Sequence, residues 1–255
     1  MSLDAAQFSI LWPALLAGLL VTATHVPLGM QVLERGIVFI DLAIAQIAGV
    51  GVIYADYLGW EPTGAAVQIA ALGAALACAA LLTWTERRWP QVQEAMIGVV
   101  FVVASSAAIL LLAKNPHGGE NLKDLLAGQI LWVSPIRLPL DALIYGVILA
   151  LWFRLRERLG RIGFYALFAC TVTISVQLVG LFLVFSTLVI PALATFYSRG
   201  RRYAKAYAIG VLGYAVGLML SAMTDLPSGA MVVCAMATVG AAFFLLTSRP
   251  QSRVH

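Results

Sequence analysis

The 255-residue chain has few charged side chains: Asp, Glu, Lys and Arg make up 11% of it, and hydrophobic residues make up 62%. Soluble domains average about 25% charged and about 45–50% apolar residues. These figures exclude an ordinary soluble globular protein, whose surface needs a polar and charged covering. A bilayer removes that need. Each transmembrane helix takes about 20 apolar residues, so the chain has room for roughly eight or nine spans.

Cysteine and catalytic motifs are scarce as well. Cys78, Cys170 and Cys234 lie in apolar runs without CxxC spacing, which argues against a disulfide framework or a thiolate zinc site and predicts three small core residues. The motifs GxxxxGKS/T, HExxH and GxSxG are absent, as is a GxGxxG that opens a helix after a strand. We therefore expect a transport protein that is not an enzyme and that takes its energy from elsewhere.

The apolar runs predict an all-α, polytopic integral membrane protein with a single transmembrane domain over residues 1–255. The predicted spans are about 8–31, 37–55, 65–84, 95–113, 138–153, 164–180, 181–198, 206–223 and 229–247. The uncharged stretch 163–198 is too long for one straight helix and short for two. A pair broken at Gly180 and a re-entrant turn both fit it, so the count stays at eight to nine.

The basic residues predict the orientation of the chain in the membrane. Thirteen of the 16 Lys and Arg residues fall in one set of alternate loops, and Lys114, Lys123 and Arg137 fall in the other. Cytoplasmic loops retain Lys and Arg, so we expect the N-terminus outside and the C-terminus in the cytoplasm of a bacterial inner membrane. The net charge of +4 is too small to indicate nucleic-acid binding.

Polar side chains inside the spans are the candidates for function, because burying them in hydrocarbon is unfavourable by a few kcal/mol. Asp41 either caps its helix, pairs with Arg35, or serves as an oxygen ligand for a cation that crosses the bilayer. His25 precedes the helix-bending Pro27 and either binds a metal or bonds to a nearby carbonyl. Gln46 lies roughly 140° around the helix from Asp41, so one helix cannot aim both at the same point.

Two basic stretches, 154–161 and 199–205, follow apolar spans on the predicted cytoplasmic side. They either anchor to anionic lipid headgroups or dock a partner. Because the chain has no ATP site of its own, a separate cytoplasmic ATPase is the natural partner.

Five segments in order resemble the permease subunits of zinc and manganese ABC importers, the ZnuB-like family. Residues 186–195, STLVIPALAT, resemble the family's LLVIPAATA stretch, and Asp41 falls on the Asp of its GDxLAHA segment. The other three segments are 16–29, ending in PLG, 127–134, AGQILWVS, and 225–230, DLPSGA. The resemblance covers residues 12 to 247.

This resemblance implies a permease that pairs with a second copy, two cytoplasmic ATP-binding cassette ATPases and a periplasmic metal-binding protein. It also implies that a turn and short helix from Pro191 to about Tyr207 engage the ATPase. The residues expected in that coupling are Pro191, Ser198, Arg199, Arg201, Arg202 and Lys205.

The sequence departs from the family at one position that bears on mechanism. The family places His four residues after the Asp, whereas this chain has Ala45, followed by Gln46. Either Gln46 supplies a carbonyl oxygen instead, or His25 on the neighbouring span replaces the missing imidazole. We expect the second, with Asp41 and His25 as a pair that lines the path of the metal.

The expected substrate is a divalent metal, zinc first, manganese second and iron third, with no permanently bound cofactor. A permease for iron chelates or cobalamin is the nearest alternative, and its path would not need Asp41 or His25. An ion-coupled secondary transporter would show weak symmetry between its halves, which the sequence does not have.

Overall fold

The computed structural model describes residues 5–60, 64–112, 130–155, 158, 160–198 and 200–247. Within these residues the chain forms nine α-helices, two short 3₁₀ helices and no strand. The α-helices are α1 (Ala5–Arg35), α2 (Ile40–Tyr57), α3 (Ala65–Arg88), α4 (Gln93–Leu112), α5 (Leu138–Leu155), α6 (Gly160–Val179), α7 (Leu181–Ala194), α8 (Arg202–Thr224) and α9 (Ser228–Thr247). The 3₁₀ helices are Pro90–Val92 and Ile130–Trp132.

The helices confirm the predicted all-α membrane architecture. Eight are long and apolar enough to cross a bilayer, while α7 has only 14 residues. Each predicted span overlaps one helix of the described residues, but α6 begins at Gly160 instead of 164, α8 begins at Arg202 instead of 206, and α7 ends at Ala194 instead of 198. The first turns of these two helices carry the basic residues Arg161, Arg202 and Lys205, which the predicted spans excluded.

Gly180 separates α6 from α7, as the paired reading of residues 163–198 predicted. Its φ of 89° lies in the region that side chains disfavour and glycine tolerates. Its N–H donates to the Val176 carbonyl at 2.8 Å, and its own carbonyl accepts the N–H of Val184 at 3.1 Å. One residue therefore ends a helix and starts the next. At 1.5 Å per residue α7 is about 21 Å long, shorter than the roughly 30 Å core.

The helices pack in two groups that meet along α1, α6 and α7. In one group α2 packs on α3 and α4, and α3 packs on α6; in the other, α1 packs on α7 and α8, and α9 packs on both of these. The tightly packed interior runs through both groups without a break.

Contacts between charged residues tie several helix ends together at one end of the bundle. Glu34 at the end of α1 pairs with Arg202 at the start of α8, with 2.9 Å between Oε1 and Nη1. Glu86 near the end of α3 lies 3.9 Å from Arg161 in the first turn of α6. We call this end, where α1 and α3 finish and α6 and α8 begin, the basic end.

The cysteines differ in exposure. Cys78 on α3 is buried, Cys170 on α6 is half-buried and Cys234 on α9 is exposed. The prediction of three core residues is therefore wrong for Cys234. In a membrane protein an apolar side chain can face lipid, so an apolar run does not distinguish core from surface.

The close approach of α1 and α7 depends on Gly29, where an added Cβ would overlap the carbonyl oxygen of Leu188. We expect Gly29→Ala to destabilise the protein by about 1–3 kcal/mol, because backbone on both sides has no room to move. The measurement is the thermal unfolding midpoint in detergent. Gly98→Ala on α4 is the matched control, since nothing lies within 4 Å of its added Cβ. Equal midpoints for the two variants would contradict the role of Gly29.

Candidate functional site

His25 lies fully buried on α1 with one ring nitrogen bonded and the other free. Its Nδ1 lies 3.0 Å from the Val21 carbonyl oxygen and 3.1 Å from Thr24 Oγ1. A carbonyl only accepts hydrogen bonds, so Nδ1 carries the hydrogen and Nε2 keeps the lone pair of the neutral ring. Nε2 is buried and has no hydrogen-bond partner. Metal-binding histidines have this arrangement: one ring nitrogen donates its hydrogen to a carbonyl, and the other offers its lone pair to the metal.

Pro27 affects the packing next to His25. A proline has no N–H, so the carbonyl four residues earlier, that of Ala23, receives no bond within the helix. The hydroxyl of Tyr207 on α8 donates to this oxygen at 3.0 Å. The proline is thus accommodated in a continuous α1, and the carbonyl that it leaves unbonded joins α1 to α8 two residues before His25.

Asp41 is fully buried in the first turn of α2, and neither carboxylate oxygen has a hydrogen-bond partner. The sequence left two structural roles for Asp41, a helix cap and an ion pair with Arg35. It does not cap α2, whose N-cap residue is Phe39 without a side-chain cap bond. It does not pair with Arg35, whose guanidinium lies over the ring of Phe164, 4.1 Å from its centre. Asp41 is therefore a buried acid for which the fold supplies no partner.

Glu94 is a second acid at this helix end that our sequence reasoning missed. Its Oε1 accepts the N–H of Phe39 at 3.3 Å, which brings the carboxylate from α4 to the N-terminus of α2. Its Oε2 is buried without a partner. Glu94 stands one residue outside the predicted span 95–113. Its position directly before an apolar run is the sequence feature that could have identified it.

The three predicted path residues do not come together. His25 lies ten residues before the end of α1, about 15 Å from the basic end, whereas Asp41 lies one residue into α2 at that end. The two helices belong to different packing groups. Gln46 faces a third direction, as predicted, and lines a groove with Leu42 and Ser105.

Metal-binding residue types are also sparse elsewhere. In the part of the chain that the structure describes, no group of three or more His, Cys, Asp or Glu side chains could hold a metal ion.

The predicted coupling segment lies at the basic end, but its form differs from the expectation. Pro191 lies inside α7, residues 195–197 form a turn after it, and Arg202 to Tyr207 are the first turns of α8. The implied turn is present, whereas the helix after it is the long α8 and not a short one. No proline follows Arg202 to interrupt the pattern, so the helix continues to Thr224. Thr195 closes α7, since its hydroxyl donates to the Pro191 carbonyl at 2.8 Å.

The polar side chains of this segment differ in their surroundings. Arg202 bonds to Glu34 and lies near the ring of Phe196, with 5.5 Å to its centre. Lys205 Nζ donates to Ser198 Oγ at 2.7 Å. Arg201 is exposed and has a left-handed backbone with φ of 46°. Arg199 lies outside the described residues, as does the loop 114–129.

Comparison with known proteins gives matches over nearly the whole chain. The profile of the ABC 3 transport family matches residues 7–164 and 154–247. An uncharacterised membrane protein of Synechocystis is 28% identical, over 90% of this chain and 88% of its own length. The high-affinity zinc uptake system membrane protein ZnuB of Haemophilus influenzae is 24% identical, over 89% of this chain and 94% of its own length.

The fold has a counterpart among solved structures. The structure of PsaBC from Streptococcus pneumoniae in complex with Fab superposes with a TM-score of 0.74. The match covers 96% of this chain and 94% of the other at 19% identity, which establishes similarity of fold.

Proposed function

The chain belongs to the ABC 3 transport family, and from this membership we propose that it is the membrane permease of an ATP-driven importer of divalent metal cations. Zinc is the first candidate substrate, and manganese and iron are next. The observation that supports this proposal best is Asp41, a fully buried acid in a spanning helix with both oxygens unpartnered. An ionisable group kept fully buried in a membrane protein without a structural partner fits a path for cations.

The proposed assembly has its cytoplasmic side at the basic end, in line with the tendency of cytoplasmic loops to retain Lys and Arg. Two copies of the chain would enclose the path, and separate ATPases would bind at the basic end. A periplasmic metal-binding protein would deliver the cation to the opposite end, on loops that include residues 114–129. ATP would be used by the partner, since the sequence carries no nucleotide motif.

The proposed path residues act one after another. His25 is about halfway through a core of roughly 30 Å, with its Nε2 lone pair available, and Asp41 is near the basic end. Their different depths support successive contacts with the cation instead of one shared site. Gln46 would offer an amide carbonyl oxygen from the groove it lines.

Asp41→Asn tests the proposed path directly, because Asn has nearly the same side-chain shape as Asp but no negative charge. We expect metal uptake to fall about ten-fold or more, since even groups that only support a metal ligand change affinity or activity by roughly 10 to 100-fold. The measurement is radioactive zinc and manganese accumulation in cells that express the chain with its ATPase and binding protein. Asp56→Asn, at the exposed far end of the same helix, is the matched control. Wild-type uptake in Asp41→Asn at equal expression would refute the role of Asp41.

The two amide substitutions of His25 separate its two nitrogens. Asn can present an amide near the place of Nδ1, whereas Gln can present one near Nε2. If Nε2 meets the cation, His25→Gln keeps more uptake than His25→Asn. The reverse order, or equal uptake at wild-type level, would show that His25 serves only to bond the Val21 carbonyl.

The ATPase contact is tested at Arg201, which is exposed while Arg202 and Lys205 have partners within the chain. Arg201→Glu should reduce copurification of the ATPase with the permease without changing thermal stability. The matched control is the charge reversal of exposed Arg137 at the opposite end, which should leave copurification unchanged. Intact copurification of Arg201→Glu would instead favour anchoring to lipid headgroups.

Arg202 is tested by a charge swap with Glu34, since an exposed ion pair contributes only about 0.2–1 kcal/mol. Arg202→Glu alone places two acids side by side. If Arg202 positions the turn through this pair, then adding Glu34→Arg restores ATPase association. Failure of the double variant to recover would mean that Arg202 itself contacts the ATPase.

A further inference from the structure

A polar cavity of about 560 Å³ opens at the end of the bundle opposite the basic end. It lies between the first turns of α3 and α5, the last turn of α6 and the segment that follows the second 3₁₀ helix. Its polar lining comes from Gln68, Ser134, Arg137, Asp141 and Gln177, and apolar side chains such as Leu140 and Ile144 complete the wall.

Asp141 lines this cavity as a buried acid without a partner. Its side chain lies in the first turn of α5, and the residue is only 6% exposed. Among the described residues its carboxylate takes part in no hydrogen bond or ion pair, and the charge that acts on it is that of Arg137, one turn earlier. The carboxylate therefore lines the cavity with no group of the described residues bonded to it, and a cation held there would supply a partner.

The other polar groups of the cavity add to the same ligand chemistry. The side chains of Gln68 and Gln177 are exposed and can turn a carbonyl oxygen inward, and Ser134 adds a hydroxyl. Carboxylate, amide carbonyl and hydroxyl oxygens are ligands of hard divalent cations. A water takes up about 30 Å³ of liquid, so the cavity has room for an ion that keeps part of its hydration shell.

Arg137 affects how tightly such an ion would be held. Its guanidinium is exposed, and its positive charge repels a cation at Asp141 without occupying the acid. A transport path needs sites that an ion enters readily and also leaves readily. One carboxylate, neutral oxygens and an opposing charge nearby give a weak site, as transit requires.

We propose that this cavity is the first resting site of the divalent cation on the permease, with Asp141 as its charged ligand and Gln68 and Gln177 as carbonyl ligands. The proposal rests on the proposed function, because it takes its substrate class from there. It adds a position for the cation ahead of His25 and Asp41, at the opposite end of the bundle from Asp41.

The test measures binding of Mn²⁺ alone to the full chain in lipid nanodiscs, from the loss of the free-ion electron paramagnetic resonance signal. All variants carry Asp41→Asn, so that the inner acid does not contribute. In that background Asp141→Asn should weaken binding about ten-fold or more. Arg137→Gln should tighten binding several-fold, because it removes a repulsive charge. Asp225→Asn, an exposed acid in another loop, should leave binding unchanged.

Asp141→Asn is expected to weaken Mn²⁺ binding and Arg137→Gln to tighten it. These opposite effects distinguish a cation site from a structural pair. If both substitutions weaken binding or neither changes it, the proposal is wrong. Binding that weakens equally in Asp225→Asn would also overturn it, since the ion would then be responding to surface charge in general. Circular dichroism of each variant confirms that its helices are intact.

The same variants separate this proposal from the proposed function. A wild-type complex that accumulates metal in cells while its Mn²⁺ binding is insensitive to Asp141 would overturn only the cavity site. A wild-type complex that accumulates no zinc, manganese or iron would overturn the proposed function, whatever the nanodisc result.

Discussion

The structure depends on one constraint: inside a bilayer no water is present to satisfy a polar group, so the protein must do it. Most hydroxyls in the spans bond back to their own helix, as Thr22 does to the Gly18 carbonyl at 2.7 Å and Thr83 to the Ala79 carbonyl at 2.7 Å. The carbonyl freed by Pro27 is satisfied by Tyr207 from another helix. Against this background the free Nε2 of His25 and the bare carboxylate of Asp41 are exceptions that packing does not explain.

The same constraint shapes the short helix α7. A helix of about 21 Å does not cross a core of roughly 30 Å, so its first backbone groups start within the protein. Gly180 makes this possible, because it accepts and donates a backbone bond at the junction. Packing against α1 and α9 then fixes the position of α7 in the bundle. Gly29 and Gly240 leave space for this, since a Cβ at either would collide with α7. The turn that follows α7 is thereby held at the basic end.

The architecture could be predicted from local pattern, since apolar length and charge placement determine each span by itself. The eight helices long enough to span and the break at Gly180 follow from such patterns. The arrangement of the site could not, because it depends on which helices pack together. Asp41 and His25 lie on consecutive spans, yet α1 and α2 diverge into different groups. Glu34 and Arg202 are 168 residues apart and still pair. Asp141 stood inside a predicted span and was passed over, because its cavity forms only when α3, α5 and α6 assemble.

The separation of these groups is consistent with transport in a way that a cluster would not be. Three or four ligands around one point would bind zinc or manganese tightly, and each bound ion would then have to escape a deep energy minimum in every cycle. Single ligands at different depths bind the ion weakly. The ion can then lose its water in several steps, each with a small free-energy cost. On the proposed function, Asp141 at the outer end, His25 near mid-depth and Asp41 at the basic end make such a series. If the resemblance to the ZnuB-like family holds at this position, Ala45 stands where a histidine is expected and Asp41 would bind the cation more weakly. Direction would then come from the ATPase-driven change in the helices and not from a gradient of affinity.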